Sequence, residues 1–131
     1  MKIPLKKDIV SVARKYKLKV FVMFGSNVDG GIHKESDLDL GFYSLNKVNE
    51  EKLFKDVVRL FHRGDIDLVN LYKNHSPILR YKILHSGKVL FEAKKGLKNK
   101  MEWESYFDYM DFKRYYDERS KLLNKKILGL T

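Results

Sequence analysis

The chain contains no cysteine, only two prolines and no long apolar run. The absence of cysteine excludes a disulfide scaffold, a thiol nucleophile, an iron–sulfur cluster and a cysteine-based zinc site. No run approaches the ~18 apolar residues of a membrane-spanning helix. The first ten residues are basic but lack the apolar region and the cleavage site of a secretory signal. We therefore expect a soluble, cytoplasmic protein with no membrane partner.

Acidic residues are outnumbered. The 131 residues include 27 Lys and Arg against 17 Asp and Glu, which gives a net charge of +10 at pH 7. This balance fits either a polyanionic partner or a lysine-rich surface that serves solubility. Lys is much commoner than Arg, and Lys is the weaker residue for bidentate recognition of guanine or phosphate. Sequence-specific DNA binding is therefore not favoured.

Hydrophobic periodicity predicts eight elements in the order α-β-β-α-β-α-β-α. The predicted helices cover 5–17, 49–62, 77–86 and 99–125, and the predicted strands cover 19–24, 37–43, 65–72 and 88–92. Ser76 and Pro77 are a typical N-cap and first helical residue. The pattern predicts an α/β (α+β) fold with a small mixed sheet of about four strands flanked by helices.

Two pairs of aspartates stand out in the predicted strands. Asp37 and Asp39 are one residue apart, so both side chains project from the same face of a strand. Neighbouring carboxylates repel each other, and a divalent cation such as Mg²⁺ or Mn²⁺ relieves that repulsion with oxygen ligands alone. Asp65 and Asp67 form a second pair on the next predicted strand. If the two strands pair, one of these can supply a third carboxylate.

A glycine and a serine follow the first predicted strand directly. Gly25 lets the backbone approach a phosphate, and the hydroxyl of Ser26 can help to hold one. The segment is neither a Walker loop nor a dinucleotide-binding fingerprint. The four histidines have no spacing typical of a zinc site.

These residues together resemble a known signature. The pattern Gly25-Ser26-x10-Asp37-Leu38-Asp39 resembles that of the DNA polymerase beta nucleotidyltransferase superfamily. The stretches 66–71, 76–81 and 87–92 resemble its minimal nucleotidyltransferases (MNT), which are often the antitoxin half of a pair with a HEPN-domain protein. The resemblance covers about 5–95. It implies a nucleotidyltransferase domain over 1–95 and a C-terminal helical extension over 96–131 that packs on this domain or projects from it.

The resemblance also implies a two-metal site. Asp37, Asp39 and a third aspartate would bind two Mg²⁺ ions, with Mn²⁺ as the alternative, and would act on the triphosphate of ATP. Asp67 is preferred as the third because it directly precedes the apolar strand core, as in the family pattern. Asp65 is the second choice.

Further positions carry over as nucleotide contacts. Gly25 and Ser26 would hold the terminal phosphates, and Arg80 would contact a phosphate or the partner, or form an ordinary surface ion pair. Family members commonly have a basic residue and a glycine soon after the Gly-Ser pair, whereas this chain has Asp29-Gly30. That departure removes one phosphate contact and leaves the carboxylates intact.

The last predicted helix is rich in aromatic residues. Trp103, Phe107 and Met110 fall along one stripe. We expect one stripe of this helix to pack on the domain, and the aromatic residues spread more widely than one stripe. The helix either lies in a groove of its own domain or offers a contact surface to a partner. Stacking with single-stranded RNA is a weaker interpretation, because no RNA-binding module is evident.

The small size of the chain leaves few residues for an acceptor domain. We therefore expect a partner protein to supply the acceptor hydroxyl, as in an antitoxin that transfers AMP from ATP to its HEPN toxin. One alternative is a non-catalytic antitoxin or binding module that masks its partner. Another is a transferase that acts on a small molecule or an RNA end.

Overall fold

The computed structural model describes residues 3–25, 37–71, 76–127 and 129. The helices are α1 (Lys6–Lys15), α2 (Glu50–Phe61), α3 (Pro77–Ser86) and α4 (Leu97–Ile127), and the strands are β1 (Val20–Phe24), β2 (Leu38–Tyr43), β3 (Ile66–Asn70) and β4 (Lys88–Glu92). All eight elements predicted from the sequence are present in the predicted order. Their ends agree with the predicted ones to within two residues.

The four strands form one mixed sheet in the order β3-β2-β1-β4. β1 is antiparallel to both β2 and β4, whereas β2 and β3 are parallel. A parallel pair needs a crossover, and α2 supplies it between β2 and β3. The predicted α/β fold with a four-stranded mixed sheet is confirmed.

Alternation along the strands divides the apolar core between the two faces of the sheet. One face packs against α1 and α2 and carries Phe21, Met23, Leu38, Leu40 and Phe42. The other face packs against α3 and the first part of α4 and carries Val20, Val22 and Leu71. Odd-numbered residues of β2, Asp39 among them, therefore belong to the α3 face.

A polar contact joins α1 to α2 on the first face. The carboxylate of Asp56 accepts hydrogen bonds from Lys15 Nζ at 2.8 Å and from the hydroxyl of Tyr16 at 2.5 Å. Its side chain is only 16% exposed. These contacts, first that of Lys15 and then that of Tyr16, hold the pKa of Asp56 below its ordinary value.

This depressed pKa makes stability depend on pH. Because the folded protein favours the ionised carboxylate, the contact stabilises the fold above the unfolded pKa of about 3.9 and is lost as the pH falls through the folded value. We expect Asp56→Asn to lower the free energy of unfolding by about 1.5 kcal/mol at pH 7 and by progressively less as the pH falls below about 3.9. Urea titrations at pH 7 and at a series of acidic pH values measure this, with the exposed Asp117→Asn as control. A loss that is the same at every pH would contradict the assignment.

Only one side of α4 packs on the domain. The side chains that it buries are Met101 and Ser105, whereas Trp103 and Phe107 are 62% and 60% exposed. The stripe of Trp103 and Phe107 therefore faces solvent, and the opposite side of the helix packs on α3. Spacing could not separate the two, because several stripes of this helix carry large apolar residues. None of the described helices is both long and apolar enough to cross a membrane.

Candidate nucleotidyl transfer site

The aspartates of β2 and β3 meet side by side. Asp39 and Asp67 are register partners in the parallel pair. Residues paired in this way project from the same face of strands that lie about 4.8 Å apart. Asp37 directly precedes β2 and shares the parity of Asp39. Asp39 is half-buried, and the other two are exposed. The fold thus brings the three residues to one end of one face.

The pKa of Asp39 reflects this arrangement. Burial raises its pKa above the ordinary value, and the charges of Asp67 and then Asp37 raise it further. Each of the other two carboxylates therefore lies close enough to oppose the ionisation of Asp39. Like charges in this geometry cost folding energy, which is typical of a site that serves a ligand.

Asp65, the second choice for the third carboxylate, has a different environment. Arg63 donates to both of its carboxylate oxygens through Nε and Nη2, and this contact lowers the pKa of Asp65. The sequence alone left Asp65 and Asp67 as alternatives. The geometry favours Asp67, because Asp67 pairs with Asp39 and acts on its pKa. In the described ranges, no three acidic or histidine side chains are already assembled as a metal site.

Gly25 touches this group from the end of β1. Its φ of +83° is a conformation that side chains rarely adopt, and a Cβ there would overlap Oδ2 of Asp39 and lie 3.1 Å from its Cγ. Sequence reasoning assigned Gly25 to phosphate binding and missed that it also makes room for Asp39. Ser26 lies outside the described residues, as do Asp29 and Gly30.

Arg80 lies on α3, which packs on the same face of the sheet as Asp39. Ser76 caps this helix by accepting a hydrogen bond from the backbone N–H of Leu79 at 3.3 Å. Ile83, one turn after Arg80, packs so closely on β2 that a Cβ at Gly41 would lie 3.2 Å from it. The Nε of Arg80 is buried and has no hydrogen-bond partner among the described residues. An unpaired buried donor is costly, and an anionic ligand would relieve that cost.

A family model spans this whole arrangement. Residues 7–96 match the model described as Polymerase beta, Nucleotidyltransferase. The chain belongs to this nucleotidyltransferase family. The match contains Gly25, the three aspartates and Arg80, and it ends just before α4.

Solved structures share the fold of this member of the nucleotidyltransferase family. A chain of a mutant MntA–HpeT toxin–antitoxin complex aligns with a TM-score of 0.71 at 19% identity, covering 94% of this chain and 98% of that chain. A chain of a toxin–antitoxin structure with AMP-PNP gives 0.71 at 20% identity, with 93% and 98% covered. A chain from tri-AMPylated Shewanella oneidensis HEPN toxin in complex with MNT antitoxin gives 0.65 at 19% identity, with 93% and 95% covered. Curated protein sequences give no significant match.

Proposed function

We propose that this protein is a metal-dependent adenylyltransferase that transfers AMP from ATP to a hydroxyl of a HEPN-type toxin, and so acts as its antitoxin. The observation that carries the proposal is the pairing of Asp39 with Asp67 across β2 and β3, with Asp37 at the same end of the same face. Family membership supports the reaction class. The toxin–antitoxin structures that share the fold, one of them with an AMPylated toxin, support the acceptor.

The residues fit a hard divalent cation. Asp37, Asp39 and Asp67 offer only carboxylate oxygens, the donors that Mg²⁺ prefers, and their mutual repulsion is what a cation relieves. When bound, Mg²⁺ neutralises charge on the triphosphate and on the leaving pyrophosphate.

The protein's own groups would hold and orient the nucleotide. The glycine at position 25 lets the backbone come close to the phosphates, and Ser26 follows it with a hydroxyl. Arg80 would donate to a phosphate oxygen from the Nε that lacks an acceptor among the described residues. These contacts place the α-phosphorus for attack by an acceptor hydroxyl, with pyrophosphate as the leaving group.

Binding should need the cation and the nucleotide together. Without Mg²⁺, the negatively charged triphosphate would approach three carboxylates that already repel each other. We expect ATP with Mg²⁺ to stabilise the protein by about 2.7 kcal/mol at a hundred times Kd, and each ligand alone to stabilise it far less. Thermal unfolding with ATP, Mg²⁺, both, and both plus a chelator measures this. A nucleotide-induced shift that the chelator leaves unchanged would contradict the metal-dependent site.

The function itself is tested by supplying the acceptor. The purified protein, ATP and Mg²⁺ are incubated with the protein encoded by the adjacent gene, the expected HEPN toxin, and that protein is examined by intact-mass and peptide mass spectrometry. We expect the mass of one AMP added per modified hydroxyl. Binding without any added AMP would leave an antitoxin that only masks its partner and would overturn the enzymatic proposal.

A further inference from the structure

The far half of α4 is exposed although it is rich in apolar side chains. We call residues 111–127 the distal helix. All of its residues except the half-buried Ser120 are exposed. Its large apolar side chains, between 40% and 78% exposed, are Phe112, Tyr115, Tyr116, Leu122, Leu123 and Ile127. Contiguous exposed apolar surface of this kind marks an interaction site.

These six side chains share one side of the helix. At 3.6 residues per turn they fall within an arc of about 140°, which we call the apolar arc. The opposite side is polar and carries Lys113, Arg114, Asp117, Glu118, Lys121, Asn124 and Lys125. The distal helix is therefore amphipathic, and its apolar side lacks a partner within the described parts of the chain.

The apolar arc continues the line along which α4 packs on its own domain. Met101, Ser105 and Tyr109 are followed at helical spacing by Phe112 and Tyr116. On the near half this line meets α3, where Tyr109 stacks on Tyr81 at a centroid distance of 5.5 Å. Tyr81 lies only one turn after the start of α3, so α3 offers little further surface beyond this contact. No other described element lies along the line beyond it. The packing face thus extends past the domain that it packs on.

We infer that the apolar arc is the docking surface for the toxin partner, and that it lies in an apolar groove that also carries carboxylates. The identity of the partner rests on the proposed function. The acidic character of the groove follows from Arg119 and Lys126, which fall within the arc itself and would face carboxylates there. The distal helix as a whole carries six Lys or Arg against three Asp or Glu. The six side chains expose roughly 600 Å², close to the ~800 Å² that one partner contributes to a standard interface.

The same charges argue against two other binding partners for the apolar arc. A second copy of this chain would bring two basic helices together, with Arg119 and Lys126 of each copy in the shared surface. A lipid surface would take these two cations, which lie in the middle of the apolar arc, toward the acyl chains, where charge is expensive. A protein groove with carboxylates at matching positions has neither cost.

The test uses full-length protein with changes on opposite sides of α4. The arc variant combines Tyr116→Ser, Leu123→Ser and Ile127→Ser. The control combines Trp103→Ser and Phe107→Ser, whose side chains are equally exposed but lie on the other side of the helix. Affinity for the HEPN toxin is measured by titration calorimetry at low and high salt. We expect the arc variant to raise Kd at least about 30-fold and the control to change it less than threefold.

The outcomes separate this inference from the proposed function. Both variants must show the same thermal shift with ATP and Mg²⁺ as the unmodified protein, which reports that the nucleotidyltransferase domain is intact. If the unmodified protein does not bind the toxin, the proposed partner is wrong. If it binds and the arc variant binds equally well, the docking surface is wrong while the function stands. Affinity that is insensitive to salt would overturn the acidic character of the groove.

The two other partners considered for the apolar arc, a second copy of the chain and a membrane surface, are tested by separate measurements. Sedimentation that shows a dimer of the unmodified protein and a monomer of the arc variant would assign the arc to a second copy. Binding to phosphatidylserine vesicles that the arc variant loses would assign it to a membrane surface. Either result would overturn docking to the toxin.

Discussion

Asp39→Asn should lower the rate of AMP transfer at least about a hundredfold while the protein remains folded. The change removes the half-buried carboxylate of Asp39, whose pKa is raised by burial and by the charges of Asp67 and Asp37. A metal-dependent phosphoryl transfer loses several kcal/mol of charge stabilisation when such a ligand is removed. Transfer to the toxin, followed with labelled ATP, measures the rate.

The same variant should gain stability when no metal is present. Because the folded pKa of Asp39 is raised, ionisation of this group weakens the fold at pH values above its unfolded pKa. Asn removes that cost, so the melting temperature should rise at pH 7 and change little near pH 3. Asp65→Asn is the matched control, since its carboxylate pairs with Arg63 and is not the partner of Asp39. Near-normal transfer by Asp39→Asn, or an equal loss in the control, would refute the site.

Gly25→Ala should cost nearly as much activity as the loss of Asp39 itself. The new methyl group would occupy the position of Asp39 Oδ2, so the carboxylate must leave its place in the site. The positive φ adds backbone strain of about 1–2 kcal/mol. We expect transfer to fall about a hundredfold and the melting temperature to drop.

Two glycines separate these effects. Gly96 has a φ of +87° but no atom within 4 Å of an added Cβ, so Gly96→Ala reports strain alone. A Cβ at Gly64 also meets nothing within 4 Å, and its φ is outside the strained range. Both controls should retain transfer, with a loss of stability only in Gly96→Ala. If Gly25→Ala transfers AMP as fast as Gly96→Ala, displacement of Asp39 is not what limits the reaction.

The order of elements was predictable because each short segment has one clear periodicity. Alternation of apolar residues indicated the strands, and the parity of Asp37 and Asp39 already placed them on one face. The third carboxylate was harder, because Asp65 and Asp67 have the same parity. The choice depends on the register of β2 against β3, which is set by contacts between segments distant in the sequence. It also depends on the side-chain contact of Arg63 with Asp65, which becomes visible only in the structure.

Other features had no signal in the sequence. The contact between Gly25 and Asp39 joins the end of β1 to β2, and a glycine after a strand is equally typical of any turn. The packed face of α4 could not be predicted, because apolar residues surround much of this helix. Met101 and Ser105 were selected by the position of α3, and spacing within one helix does not contain that information.

The place of Asp67 in the sheet bears on how an inactive form of this protein should be made. Among the described strands, β3 is at an edge, and the exposed Asp67 interrupts its apolar residues Ile66, Leu68 and Val69. A charge on an edge strand keeps it from pairing with the edge of another molecule and aggregating. Asp67→Ala therefore risks precipitating the protein, and its inactivity would be hard to interpret. Asp39 lies on β2, which has a neighbour on each side, so we expect Asp39→Asn to give an inactive form with the protective charge retained.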